Sequence, residues 1–238
     1  MRKDGRKFNE LRPVKITTGF VKFAEGSVLI ECGDTKVLCN ASVEDRVPPH
    51  VRPGHGWVTA EYSMLPRANR ERSRRDIDKL KLSSRSAEIQ RLIGRSLRAA
   101  VDMEALGERT ITIDCDVLQG DGGTRTASVT GGFIALALAC RKLVEEGYIG
   151  RNPIRHFVAG VSAGIVDDTA VLDLPYSEDS RAQVDLNCIM NELGEIIEIQ
   201  GTGEGRAFTV AEQQNLLELC AKGNRELIAK QREILGGL

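Results

Sequence analysis

Apolar and polar residues alternate along several short segments of the chain, which is the pattern of strands that bury one face. In the first half this pattern predicts strands at residues 27–32, 35–40, 56–62 and 110–117. The first two flank Gly33 and Asp34, and a two-residue spacing of this kind predicts a β-hairpin. In the second half we expect strands at residues 159–166, 170–174, 184–191 and 196–200, with a turn at Gly194.

Helices are predicted where apolar residues recur every three or four positions. Residues 84–103 show this period, and a second, very apolar helix includes residues 133–139. The C-terminal segment predicts two helices divided at Gly223. The first of these begins with Thr209 and Glu212, which have the spacing of a capping box.

This order of strands and helices predicts an α+β fold, built from two β/α halves. The chain has 238 residues, a length that allows one large domain or two small ones. Because no linker interrupts the pattern, we expect a single domain over residues 1–238. The formal net charge of −1 argues against general attraction to nucleic acid, so any such attraction must be local.

Cysteine usage and the N-terminal segment indicate a cytoplasmic protein. The six cysteines form no C-x-x-C pair and lie among apolar residues, which predicts buried, reduced thiols and argues against a zinc site. The N-terminus is charged and no apolar stretch follows it, and the longest apolar run, residues 133–140, is too short to span a bilayer. We therefore expect neither a targeting segment nor a membrane partner.

A glycine-rich turn at residues 119–127 leads from a predicted strand into the apolar helix. The first N–H groups of a helix have no intrahelical partner, and Gly122 and Gly123 would let the backbone approach an anion closely. Arg125 can bind two phosphate oxygens at once. The turn lacks the Lys-Ser/Thr of a P-loop and the G-x-G-x-x-G spacing of a dinucleotide fold. It predicts a phosphate site, and the alternative is a tight turn with a solvated arginine.

Arginines are concentrated in two further places. Five fall within residues 67–75, which contain no large apolar side chain. This segment is either a solvated loop or a local positive patch for a sugar-phosphate backbone. Ser83 reads as a helix N-cap that places Arg85 in the first turn, where a cation opposes the helix dipole. An anion between the helix end and Arg85 would explain this placement; the alternative is an exposed arginine that points away.

Two carboxylates, Asp179 and Asp185, flank a predicted turn at residues 177–180. In a fully extended chain they would lie roughly 20 Å apart, whereas the turn can bring them within a few ångströms of each other. Such a pair suits one Mg²⁺, or a metal ligand beside a general acid. Carboxylates beside a strand are common on surfaces, so this pair becomes informative only together with the other motifs.

Together these motifs resemble the ribonuclease PH family of phosphorolytic 3′-to-5′ exoribonucleases, which are tRNA nucleotidyltransferases. The resemblance covers almost the whole chain and rests on Asp185 and on residues 2–6, 10–13, 39–45, 59–67, 88–95, 114–119, 122–127, 178–180 and 198–202. It implies the ribonuclease PH fold, a duplicated β-α unit of the ribosomal protein S5 domain 2-like type. It also implies a homohexamer assembled as a trimer of dimers.

The resemblance assigns a role to each of the candidate residues. Inorganic phosphate as co-substrate would be bound by Arg85, Gly123, Thr124 and Arg125. Catalysis and Mg²⁺ binding would fall to Asp179 and Asp185, and RNA binding to Arg67, Arg72 and Arg75. The implied reaction trims 3′ extensions of tRNA precursors and other RNA 3′ ends and releases nucleoside diphosphates reversibly. Ser84 stands where the family usually has glycine, and Gln183 where an acidic residue is common.

Two other functions fit part of the sequence. A non-catalytic RNA-binding subunit of an exosome-like ring would share the fold, but the presence of Arg85, Arg125, Asp179 and Asp185 favours an enzyme. A metabolic enzyme that binds phosphate and acts on small nucleotides would explain the glycine turn. It would leave the arginines of residues 67–75 without a purpose.

Overall fold

A computed structural model of the chain describes residues 2–75 and 83–237, which form two β-sheets and five helices. The first sheet has the order β1-β2-β3-β5-β4, in which β4 and β5 are parallel and the other neighbours antiparallel. Its strands are β1 (Val14–Thr18), β2 (Gly26–Cys32), β3 (Thr35–Glu44), β4 (Trp57–Met64) and β5 (Thr110–Gln119).

The second sheet has four antiparallel strands in the order β7-β6-β8-β9. They are β6 (Val158–Val166), β7 (Thr169–Leu172), β8 (Val184–Asn191) and β9 (Ile196–Thr202). The helices are α1 (Ser84–Ala99), α2 (Met103–Leu106), α3 (Thr124–Glu145), α4 (Tyr176–Asp179) and α5 (Val210–Leu235).

Helix α3 is the central element, because it contacts strands of both sheets as well as α1 and α5. By length and composition alone it could cross a membrane, but 78% of its most apolar window is buried inside the fold. Its apolar character is therefore that of a core helix. All six cysteines are free and buried, which confirms the predicted thiols.

Most of the predicted elements are confirmed, including the hairpin at Gly33 and the capping box of α5. Two predictions about the helices were wrong, namely the end of the helix over residues 84–103 and the break at Gly223. The helix expected over residues 84–103 ends at Ala99, because Val101 bridges to Ile154 and the chain turns into α2. The sequence pattern also missed the short elements β1, α2 and α4.

The expected break at Gly223 does not occur, since α5 continues through it. A Cβ at this position would lie 3.0 Å from Cδ1 of Leu172 and 3.3 Å from Cδ2 of Leu11. The glycine therefore lets α5 pack closely against β7. Close packing, rather than a helix end, explains this residue.

Three buried or half-buried arginines of the N-terminal segment, Arg2, Arg6 and Arg12, form what we call the arginine cluster. Arg12 donates from its backbone N–H to Oδ2 of Asp173 and from Nη2 to Oδ1, both at 2.7 Å. These two side chains are only 5% and 10% exposed. Arg2 pairs with Glu178, with Nε 3.0 Å from Oε1, and Arg6 donates to the carbonyl of Asp173. The cluster thus attaches the N-terminal segment to the start of α4.

Asp173 follows β7 in a left-handed backbone conformation with φ 54°. Burial has the largest single influence on the pKa of this carboxyl and raises it. The charge and hydrogen bonds of Arg12, with the charge of Arg6, outweigh burial and leave the pKa lowered. The carboxylate therefore stabilises the fold above its unfolded pKa, and this contribution is lost as the pH falls through the folded pKa.

Asp173→Asn should lower the free energy of unfolding at neutral pH by about 3–5 kcal/mol, because it leaves Arg12 buried without its counter-charge. Asp167→Asn is a matched control, since Asp167 is also left-handed, with φ 49°, but forms an exposed ion pair with Arg181. Asparagine tolerates this backbone conformation, and the control should change stability by less than about 1 kcal/mol. Urea unfolding at equal protein concentration measures both, and equal losses would contradict a special role for the buried pair.

Candidate active site

The glycine turn leads directly into the N-terminus of α3. Gly123 is the N-cap residue, with φ 66°, and no side chain in the described part of the chain caps the first turn of the helix. Gly122 has φ 77°, and a Cβ there would lie 2.3 Å from the carbonyl oxygen of Leu174. Only glycine fits this close approach. The uncapped N–H groups at the start of a helix are suited to bind an anion.

Other residues hold the carbonyl groups of this turn. Arg12 donates from Nη1 to the carbonyl of Asp121 at 2.5 Å and from Nη2 to that of Gly122 at 3.3 Å. The hydroxyl of Thr35 donates to the Gly122 carbonyl at 2.7 Å and accepts from the Asp121 N–H at 2.9 Å. The arginine that binds Asp173 therefore also fixes the conformation of the turn. The side chain of Thr124 is bonded to the hydroxyl of Tyr62 at 2.8 Å.

Arg85 and Arg125 of the predicted phosphate site meet the two predicted catalytic carboxylates in one cleft of about 380 Å³, which we call the carboxylate cleft. The other two predicted phosphate-binding residues, Gly123 and Thr124, line an adjoining cleft. It is lined by Arg85 from α1, Arg125 from α3, Asp179 from α4 and Asp185 from β8, among others. Asp179 and Asp185 are therefore close, as expected from the turn, because α4 reverses the chain between β7 and β8. The cleft combines two cations with two carboxylates.

Arg125 is held along one edge of its guanidinium. Its Nη1 donates to Oε1 of Gln200 at 2.8 Å and to Oε1 of Glu88 at 3.4 Å. Among the described residues no partner binds Nε or Nη2 of Arg125, and these two nitrogens form the edge that binds two oxygens side by side. Glu198 accepts from Gln200 at 3.3 Å and pairs with Arg95. Arg85 lies exposed in the first turn of α1, behind its Ser83 N-cap.

The two carboxylates of the cleft differ in their proton affinity. Burial, followed by the charge of Asp179, raises the pKa of Asp185 to about 6, against the opposing influence of Arg125 and a hydrogen bond from Asn187. Burial also raises the pKa of Asp179, but the charges of Arg85 and Arg125 oppose it. Asp185 is therefore the group of this pair that retains a proton closer to neutral pH.

The carboxylate cleft has a donor set that fits Mg²⁺. Asp179 and Asp185 supply hard oxygen ligands, and Mg²⁺ is commonly bound by one or two carboxylates together with substrate phosphates. In the described part of the chain there is no group of three or more His, Cys, Asp or Glu side chains arranged to bind a metal ion. The pair would thus hold the ion jointly with substrate oxygens.

A second cleft of about 720 Å³, which we call the turn cleft, adjoins the first and shares Arg85 and Asp179 with it. It runs along the glycine turn and is bordered by Met64, Arg70 and Tyr176. The arginines predicted to bind RNA, Arg67, Arg72 and Arg75, are exposed and line neither cleft. Their neighbour Arg70 does line the turn cleft, so their segment lies beside it.

Sequence reasoning missed several residues of the site. Gln200 and Glu88 orient Arg125, Asn187 donates to Asp185, and Glu204 lines the carboxylate cleft. The one signal for Gln200 and Glu88 was that they lie in segments carrying the family resemblance. Arg12 lay in such a segment as well, but its contact with Asp173 spans 161 positions of sequence.

Known proteins are similar to this chain in sequence and in fold. Residues 10–142 match domain 1 of the 3′ exoribonuclease family, and residues 156–223 match domain 2. Ribonuclease PH of Syntrophomonas wolfei is 57% identical over 236 residues, which are 99% of each chain. Ribonuclease PH of Bacillus subtilis is 58% identical over 238 residues, covering 99% of this chain and 97% of the relative.

Solved structures confirm the predicted ribonuclease PH fold. The Archaeoglobus fulgidus exosome with RNA bound to the active site has a TM-score of 0.81 at 25% identity, covering 96% of this chain and 92% of that one. Rice Rrp46 has a TM-score of 0.80 at 18% identity and covers 98% and 100%. The second likeness shows the fold alone. The family models and the full-length relatives together establish that the chain belongs to the 3′ exoribonuclease family.

Proposed function

We propose that the chain is a phosphate-dependent 3′-to-5′ exoribonuclease, a nucleotidyltransferase that trims 3′ extensions of tRNA precursors and other RNA 3′ ends. The observation that carries this proposal is the arrangement of two adjoining clefts that share Arg85 and Asp179. The α3 N-terminus lines one of them, and Arg125 and Asp185 line the other. An anion site beside paired carboxylates is what attack by phosphate on a phosphodiester requires. The relatives named ribonuclease PH support the same reaction.

Inorganic phosphate binds between the N-terminus of α3 and the two arginines. The helix supplies uncapped N–H groups, and the Nε–Nη2 edge of Arg125 takes two oxygens. Because Gln200 and Glu88 hold Nη1, the guanidinium needs little reorganisation when phosphate arrives. Arg85, in the first turn of α1, supplies the second positive side chain of the site.

An oxygen of the bound phosphate attacks the phosphorus of the last internucleotide link of RNA. A P–O–P bond forms, the bond to the 3′ oxygen of the preceding nucleotide breaks, and a nucleoside diphosphate leaves. Asp185, whose pKa is raised to about 6, donates the proton that the departing 3′ oxygen needs. Because a diester is exchanged for a phosphoanhydride, the step is close to equilibrium and excess diphosphate extends RNA.

Mg²⁺ held by Asp179, and by Asp185 when that carboxyl is deprotonated, would offset negative charge on the phosphoryl oxygens. The exposed arginines Arg67, Arg72 and Arg75 bind the RNA backbone beside the turn cleft. They read no base sequence, which suits an enzyme that trims diverse 3′ ends.

The proposal extends to assembly and location. A homohexamer, arranged as a trimer of dimers, would bury exposed apolar side chains such as Phe20, Phe23 and Val210. Residues 1–238 act as one domain within each subunit, an interpretation supported by a core cluster that includes side chains of both sheets. A cytoplasmic location suits six reduced thiols.

The function is tested by incubating the protein with Mg²⁺ and a tRNA carrying a labelled 3′ tail, with and without inorganic phosphate. Nucleoside diphosphates should appear only with phosphate. Monophosphates released without phosphate would make the protein a hydrolase, and tight tRNA binding without release would make it a non-catalytic ring subunit.

Loss of one charge-assisted pair in Arg125→Ala should raise the KM for phosphate by roughly 10- to 100-fold and the KM for RNA much less. Arg91→Ala, an exposed arginine on α1, is the control and should change neither.

The role of the exposed arginines is measured by the salt dependence of tRNA binding. Arg72 and Arg75 replaced together by alanine should reduce the slope of log affinity against log salt by about 1.5, close to one counterion per lost contact. Arg52 and Arg225 are also exposed and line neither cleft, so their double replacement is the matched control. An unchanged slope in the first variant would mean that the segment does not meet the backbone.

The raised pKa of Asp185 predicts a pH-dependent gain in stability for Asp185→Asn in metal-free buffer. The charged carboxylate is costly in the fold above its ordinary pKa of 3.8, and fully so above about 6. The variant should therefore be more stable than wild type at pH 8, by up to about 3 kcal/mol, and equally stable near pH 3. Asp102→Asn should do the opposite at pH 8, because hydrogen bonds from the Ala105 N–H and Arg151 lower the pKa of Asp102 to about 2. A destabilised Asp185→Asn at pH 8 would contradict the account.

A further inference from the structure

The turn cleft carries an aromatic ring that the reaction described above does not use. Tyr176 is the first residue of α4, its side chain is 55% exposed, and within the described residues its hydroxyl forms no hydrogen bond. An exposed tyrosine is unremarkable on a surface, but this one borders the cleft between the glycine turn and Asp179. The inference below rests on the proposed function.

The position of Tyr176 is fixed by the same elements that build the site. A Cβ on Gly122 would lie 2.9 Å from the backbone nitrogen of Tyr176, so the backbone of Tyr176 packs directly against the glycine turn. Asp179 lies three residues further along α4, which places both side chains on one face of that turn of helix. Arg2 anchors the intervening Glu178. The backbone of Tyr176 is therefore held at a fixed position relative to that of Asp179.

A nucleobase needs a flat, apolar surface, and the two clefts differ in whether they offer one. Charged and polar side chains dominate the lining of the carboxylate cleft, which contains no aromatic residue. The turn cleft offers the ring of Tyr176 and the side chain of Met64. It also connects through Arg70 to the exposed arginine segment. When the scissile phosphate lies near Asp179, the apolar surface that residues 2–75 and 83–237 offer to the terminal base lies on the turn-cleft side.

We propose that the part of the turn cleft bordered by Met64 and Tyr176, beside the phosphate site at the α3 N-terminus, is the subsite for the 3′-terminal nucleoside of RNA, and that the ring of Tyr176 is the platform on which its base stacks. Stacking uses the π-face that all four bases share, so the subsite accepts any terminal base. Because Tyr176 and Asp179 lie on the same helical turn, the stacked base sets the position of the scissile link beside the catalytic groups. Tyr176 is thus a substrate-positioning residue, specific for an unpaired RNA end.

The test uses an oligoribonucleotide with 2-aminopurine as its 3′-terminal base, bound to the full-length protein with Mg²⁺ but without phosphate. Stacking on Tyr176 should quench the fluorescence of this base. Tyr176→Leu should remove the quenching, and Tyr176→Phe should retain it because the ring is kept. Tyr148 is 56% exposed and lines neither cleft, so Tyr148→Leu is the matched control and should quench as wild type does. A probe placed four nucleotides from the end should not respond to any of these substitutions.

Kinetics with phosphate provide the second measurement. Tyr176→Leu should raise the KM for RNA roughly 5- to 100-fold, the loss of one base stack, and leave the KM for phosphate unchanged. Quenching or KM for RNA that is the same in Tyr176→Leu and wild type would overturn the subsite. So would equal increases of both KM values. Phosphate-dependent release of diphosphates by wild type distinguishes failure of the subsite from failure of the proposed function, since only the latter abolishes that release.

Discussion

The site depends first on the buried ion pair between Arg12 and Asp173. One arginine satisfies the carboxylate that ends β7 and also donates to two carbonyl groups of the glycine turn. The start of α4 is tied down by the neighbouring pair of Arg2 and Glu178. The glycine turn follows β5 of the first sheet, whereas Asp179 lies in α4 and Asp185 in β8 of the second sheet. The arginine cluster gives them a common attachment, so the distance between the proposed phosphate site and the two carboxylates does not depend on surface loops.

The charges of the two clefts favour bound substrates and are unfavourable in the free protein. Arg85, Arg125 and the α3 N-terminus favour an anion, while Asp179 and Asp185 favour a cation or a proton. In the free protein, burial followed by repulsion from Asp179 raises the pKa of Asp185. Such unfavourable charge placement costs stability and is typical of functional sites. The partners of Arg125 fit the same arrangement of charge. Arg125 is oriented mainly by the neutral amide of Gln200 and only weakly by the charged Glu88, so its positive charge stays available to an anion.

Local features of the fold could be predicted from the sequence. The hairpin at Gly33, the Ser83 cap, the capping box of α5 and the glycine turn before α3 each depend on residues a few positions apart. Prediction failed where a distant contact decided the outcome. The close packing of Leu11 and Leu172 explains the glycine within the continuous helix α5. The bridge between Val101 and Ile154 accompanies the end of α1 at Ala99.

The same distinction holds for the site. Residue types and spacing identified the arginines and carboxylates that converge, because each belongs to a motif with its own chemistry. The residues that orient them, such as Gln200, Glu88 and Asn187, carry no motif of their own. Arg12 and Asp173 could not be paired from sequence, since nothing local relates residues 161 positions apart.

Attack by phosphate from the α3 N-terminus is the central claim, and labelled phosphate tests it most directly. The protein would be incubated with Mg²⁺, unlabelled RNA and ³²P-labelled inorganic phosphate, and the released nucleotides separated and degraded to locate the label. The account predicts one labelled phosphorus per released nucleotide, all of it in the β-phosphate of a nucleoside diphosphate. Released nucleotides that carry no label would show that phosphate does not attack the link, and the account would be wrong.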